Sequence, residues 1–118
     1  MKIIDCDRIE INRGDELLIN YQILNGKTPY EFIENDEIGF YLYNKGKMEQ
    51  DPVIKKTFTP QAGATYIEIN ISADEMNIGS LKNIAQEYWY EITLNGEITL
   101  GYDAKGPKQL ILYPKGKK

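Results

Sequence analysis

With no histidine and a single cysteine, this chain is left with carboxylates, one thiol, hydroxyls, amines and aromatic rings to do chemistry. A Ser-His-Asp triad, a Cys-His dyad, a His-based zinc site and an internal disulfide are all excluded. Carboxylates gather at Asp5 and Asp7, at Glu34, Asp36 and Glu37, and at Asp74 and Glu75. Such oxygens suit calcium, yet the EF-hand spacing D-x-[DN]-x-[DN]-G-x5-E does not occur, and loop carboxylates on an acidic domain are ordinarily solvated, so no metal is expected. A pair of them could serve as acid and base on a glycoside, which requires a cleft holding both at a set separation. Cys6 stands between two aspartates whose charge raises a thiol pKa, and it is read as a spectator. Arg13-Gly14-Asp15 has the form of an integrin-binding tripeptide, but Gly-Asp between strands is ordinary turn chemistry. Asn70-Ile71-Ser72 has the glycosylation pattern but falls within an expected strand. No Walker loop, G-x-G-x-x-G or C-x-x-C occurs, and the expectation is a protein that is not an enzyme, with no cofactor and no catalytic residue.

The aromatic residues carry more information. In Tyr88-Trp89-Tyr90-Glu91-Ile92-Thr93-Leu94, the phase set by Ile92 and Leu94 turns Tyr88 and Tyr90 inward and Trp89 outward. An outward tryptophan either packs under a neighbouring loop or tail or anchors a partner. Tyr41, Tyr43 and Tyr66 share the outward phase of their own strands. Trp89, Tyr41, Tyr43 and Tyr66 are therefore the candidate interface, suited to protein contact or to stacking on sugar rings if their strands share a sheet. Period-two phase alone does not say which sheet each strand joins.

The elements that must position these rings read almost throughout with period two. Strands are expected at 8–12, 16–24, 38–44, 53–58, 65–71, 87–94, 97–102 and 108–113, with Pro52 marking 53–58 as an edge. Arg13-Gly14-Asp15, 25–29 and 44–47 are turns, and Asn95-Gly96 supplies the preferred central pair of a type I′ hairpin. Ser72 and Glu75 have capping-box spacing, so one short helical turn is expected near residues 74–79. A chain of 118 residues supports one core. The expected fold is all-β: a two-layer antiparallel β-sandwich, Ig-like in architecture, of about seven to eight strands, with a closed barrel as the alternative. Residues 1–113 form the domain and 114–118 a basic flexible tail. Charge is uneven: residues 1–104 hold nine basic and all eighteen acidic side chains, while 105–118 hold five lysines and no acid. The acidic body repels nucleic acid, no stretch has the ~20 apolar residues of a membrane span, and the first residues lack the apolar run of a signal peptide. Synthesis in a bacterial-type cytoplasm is expected, with neither nucleic acid nor membrane as partner.

The order of these elements resembles a family of small phage and prophage tail proteins, the N-terminal domain of baseplate upper proteins and its stand-alone relatives. In that family an early Arg-Gly-Asp-like turn opens a strand of alternating apolar residues, and a Gly-Asp-x-Ile/Leu-x-Phe segment follows. Here these resemble Arg13-Gly14-Asp15-Glu16-Leu17-Leu18-Ile19 and Asn35-Asp36-Glu37-Ile38-Gly39-Phe40. An Ile-rich strand, a helical turn closing on Leu and Gly, and a Tyr-x-Tyr-Asp-Ile strand with a Gly hairpin come next. Ile67 to Ile71, Asp74 to Leu81, and Tyr88 to Ile92 with Asn95-Gly96 are similar, with Asn35 where Gly is usual and Glu91 where Asp is usual. The resemblance implies an Ig-like sandwich acting without catalysis as a docking module in the tail or baseplate of a virion. Its partners would be other phage structural proteins, further copies of itself among them. A carbohydrate-binding module using the same outward rings is the alternative, and a small carboxylate hydrolase a third.

Overall fold

The computed structural model describes residues 2–5, 8–79 and 83–114. Their strands are β1 (Lys2–Asp5), β2 (Arg8–Asn12), β3 (Leu17–Tyr21), β4 (Leu24–Asn25), β5 (Thr28–Pro29), β6 (Ile38–Asn44), β7 (Ile54–Phe58), β8 (Ile67–Ile71), β9 (Gln86–Leu94), β10 (Glu97–Leu100) and β11 (Gln109–Tyr113). A seven-stranded sheet runs β1-β2-β11-β9-β6-β7, with β10 also paired to β9, and β3 and β8 form a second, two-stranded sheet. The protein is thus all-β and sandwich-like. Alternation is the cause: Ile9 and Ile11, Tyr88, Tyr90 and Ile92, Phe40 and Leu42, and Leu110 and Leu112 are at most 2% exposed, and they pack towards Leu17, Ile69 and Ile71 of the small sheet. Phe32 and Met76, both buried, join that core from outside the strands.

Several expectations hold. β9 and β10 form the Asn-Gly hairpin, with φ of 52° at Asn95 and 86° at Gly96, the positive values a type I′ turn requires. β7 lies at the end of the sheet. Not foreseen from the sequence, Asn35 has φ 72°, a conformation that asparagine tolerates better than most residues.

Three expectations are corrected. The large sheet is mixed, because β11 pairs parallel with β2 (Leu110 with Ile9, Leu112 with Ile11) while pairing antiparallel with β9. A strand returning from far along the chain takes its direction from the slot it fills, whereas a hairpin partner is antiparallel by construction. The segment after β8 is a single turn, and no helix occurs among the described residues. Ser72 N–H donates to Glu75 Oε1 at 3.0 Å and Glu75 N–H to Ser72 Oγ at 3.2 Å, so the capping box forms. Only one turn fits before Gly79, too few residues to offset the cost of nucleating a helix. The expected strand at 16–24 stops at Tyr21, and β1 was not expected, since its adjacent Ile3 and Ile4 show no alternation.

Candidate functional site

Strands β6 and β9 pair antiparallel with Tyr43 opposite Trp89, Tyr41 opposite Glu91 and Gly39 opposite Thr93. The alternate pairs, Phe40 with Ile92 and Leu42 with Tyr90, belong to the core between the sheets, so Tyr41, Tyr43 and Trp89 share the outer face of the large sheet. Tyr66 does not join them. It precedes β8 in the small sheet and is 62% exposed, so the four candidate residues fall on two surfaces.

The outer rings are held by their neighbours. A Cβ on Gly39 would lie 2.7 Å from Tyr41 Cε2 and 2.7 Å from Thr93 Oγ1. The missing side chain at Gly39 is therefore what leaves room for the Tyr41 ring there. Burial, a hydrogen bond to the Glu91 carboxylate, the charge of Glu91 and the nearby Tyr41 push the Tyr43 phenol up to about 12. Trp89 is half-buried, and its Nε1–H donates to Glu87 Oε2 at 2.8 Å. Gln109 Nε2 donates to the same oxygen at 3.0 Å, and Lys45 Nζ lies 3.5 Å from Glu87 Oε1. Burial alone would raise the Glu87 pKa, but the bonds from Gln109 and Trp89 and the Lys45 charge outweigh it and hold the carboxyl below its usual range.

Tyr102 completes the patch. Its ring meets Trp89 edge-on, 5.8 Å between centroids at 62°, and it is 59% exposed. Ile98, on the same face opposite Thr93, is also exposed. Sequence reasoning missed both as site residues. Tyr102 lies beyond the regular part of β10, past a register shift between Ile98 and Leu100, where alternation no longer predicts direction. A ring from the 101–107 loop therefore covers one edge of Trp89, as the first of its two readings expects, and the half-buried remainder shares the outer face with Tyr41 and Tyr43.

Three other singled-out residues, Arg13, Asp36 and Lys108, are buried and bonded within the fold. Arg13 is buried, its guanidinium donating to Ile78 O and, at 2.8 Å, to Gln86 Oε1, so Arg13-Gly14-Asp15 is not displayed as a tripeptide. Asp36, also buried, accepts bonds from Tyr30 Oη at 2.8 Å, Ile33 N at 2.9 Å and Asn95 Nδ2 at 2.9 Å. The bonds from Ile33 and Asn95, with that from Tyr30, hold its carboxyl below the usual range against the opposing effect of burial. Lys108 is buried beside Asp103, Nζ to Oδ2 2.8 Å, so this lysine belongs to the body rather than to a free basic end. Cys6, Asp7 and Lys115 to Lys118 lie outside the described residues. Among the described residues, no three His, Cys, Asp or Glu side chains are grouped to hold a metal ion. A cleft of about 330 Å³ between the sheets is lined by Ile9, Ile19, Asn20, Tyr21, Gln22, Tyr90, Ile92 and Leu100, with no carboxylate pair for acid-base work.

Comparison with protein-family models, with curated proteins and with solved structures finds no match in any of the three.

Proposed function

We propose that the chain is a non-enzymatic structural module of a phage or prophage tail or baseplate, docking onto other proteins through the outer face of its large sheet. The observation that carries the docking role is the alignment of Tyr41, Tyr43, Trp89 and Tyr102 on one surface. Rigid aromatic rings of this kind give large contact area at low entropic cost and are enriched at binding hot spots. The tail assignment, the Ig-like classification and the virion location rest on the resemblance of the Arg13 to Ile19, Asn35 to Phe40 and Tyr88 to Ile92 segments. On this reading the protein is made in the host cytoplasm and assembles with other structural proteins of the particle, including further copies of itself.

Sugar binding is the second reading, favoured by one observation: Trp89 and Tyr102 stand beside the Glu87 carboxylate and the Gln109 amide, a combination of stacking ring and planar hydrogen-bonding groups. One variant separates the two. Trp89→Ala, checked by circular dichroism to be folded, is expected to weaken association with the purified tail partner by ~2 kcal/mol or more, with no glycan-array signal in the parent protein. Unchanged association sinks the docking proposal. Array binding that disappears in the variant replaces it with the sugar reading.

A further inference from the structure

Asn95 is more than a turn residue. Its backbone N–H donates to Glu37 O at 2.8 Å, its side-chain Oδ1 accepts from Glu37 N at 2.8 Å, and its Nδ2 donates to Asp36 Oδ1 at 2.9 Å. The partners fix the orientation of the amide, since a backbone N–H needs an acceptor and a carboxylate needs a donor. The tip of the β9–β10 hairpin is thus fastened to residues 36 and 37 through one side chain.

That side chain is followed by Gly96, whose nitrogen carries no neighbouring Cβ to hinder its attack on the preceding amide. In such an attack Gly96 N bonds to Asn95 Cγ, the Cγ–Nδ2 bond breaks, and Nδ2 leaves as ammonia with the proton from the Gly96 nitrogen. Water then opens the succinimide ring to aspartate or isoaspartate. Reaching Cγ requires the amide to swing away from Asp36 and Glu37, breaking both of its hydrogen bonds.

We propose that Asn95 is a deamidation site gated by its clamp on Asp36 and Glu37, protected while the hairpin is closed and self-locking once it has reacted. The product places a carboxylate where the amide donated to Asp36, which is 4% exposed, and two carboxylates this close and this dry do not both ionise readily. A molecule that opens and reacts therefore does not reclose in its original form.

Deamidation is followed by mass spectrometry of proteolytic peptides from the full chain at mildly alkaline pH, with Asn25-Gly26, the other Asn-Gly pair, as an internal reference. Asn95 is expected to react at least about tenfold more slowly in the folded protein than in urea, because two hydrogen bonds, one to a charged group, must break first. Asp36→Ala, shown to be folded, is expected to speed Asn95 severalfold and leave Asn25 unchanged. Equal Asn95 rates with and without urea, or an Asn95 rate untouched by Asp36→Ala, overturn the proposal. Asn95→Asp gives an independent reading. Its melting temperature should fall further below the parent's at neutral than at acid pH, where the new carboxyl keeps its proton and donates to Asp36 as the amide did. A gap that does not change with pH overturns the self-locking step.

Discussion

At the residue scale, Arg13, Asp36 and Glu75, which the sequence singled out, each fasten one segment of the fold to another. Glu75 shows how. Its Oε1 lies 2.9 Å from Lys56 Nζ and accepts the Ser72 N–H at 3.0 Å, and those bonds, Lys56 first, lower its pKa from the ordinary 4.5 to about 2. A carboxyl with a depressed folded-state pKa contributes stability above its unfolded value and loses that contribution as pH falls through the folded one. The melting temperature should therefore decline as pH falls from about 4.5 towards 2, and Glu75→Gln should flatten that decline. Side-chain exposure of 44% keeps the effect small. A decline identical in the variant would show that Asp36, Glu87 and Asp103, whose pKa values are also lowered, account for it instead. Ser72 and Glu75 were recognisable from their spacing. Lys56 was not, because it arrives from β7, nineteen positions away.

Strands decide what the rings become. Tyr41 and Tyr43 on β6 meet Trp89 on β9 only because these two strands are neighbours in the sheet, a pairing that no local pattern specifies. The outward phase of each ring was legible in its own strand, whereas the company it keeps was not, and Tyr66, equally outward, went to the other sheet. Gly39 is the element-scale test of this face. Its φ is not in the positive range, so the cost of a side chain there is steric: Gly39→Ala drives a Cβ to within 2.7 Å of both Tyr41 and Thr93. A loss of about 1–3 kcal/mol in urea unfolding is expected, with a shift in the fluorescence of Trp89, the only tryptophan. Parent-like stability would mean that Tyr41 moves aside at no cost. On the other edge, Lys55 and Lys56 give β7 the charges that discourage pairing with a further strand.

Across the whole molecule, the long-range event is the seating of β11 between β2 and β9. Leu110 and Leu112 stand beside Ile9 and Ile11, about a hundred residues earlier in the chain, so β11 links β1 and β2 to the rest of the sheet. Leu110→Ala, at a site 0% exposed, should cost about 2–5 kcal/mol and lower the single unfolding transition without splitting it, because β2 and β9 lose the same central strand. Two separate transitions in the variant would show that β1 and β2 unfold independently. Sequence by itself determined the all-β class, most strand positions, the Asn-Gly hairpin, the capping box and the inward or outward phase of Tyr41, Tyr43, Tyr88, Trp89 and Tyr90, because these follow from period-two alternation and local backbone preference. Tertiary structure alone decided the parallel β2–β11 pair, the Tyr41–Tyr43–Trp89–Tyr102 surface, the separation of Tyr66 and the clamp of Asn95 on Asp36. Each of those joins residues distant in the chain, and their meeting is set by which strands pack together rather than by anything either strand encodes alone.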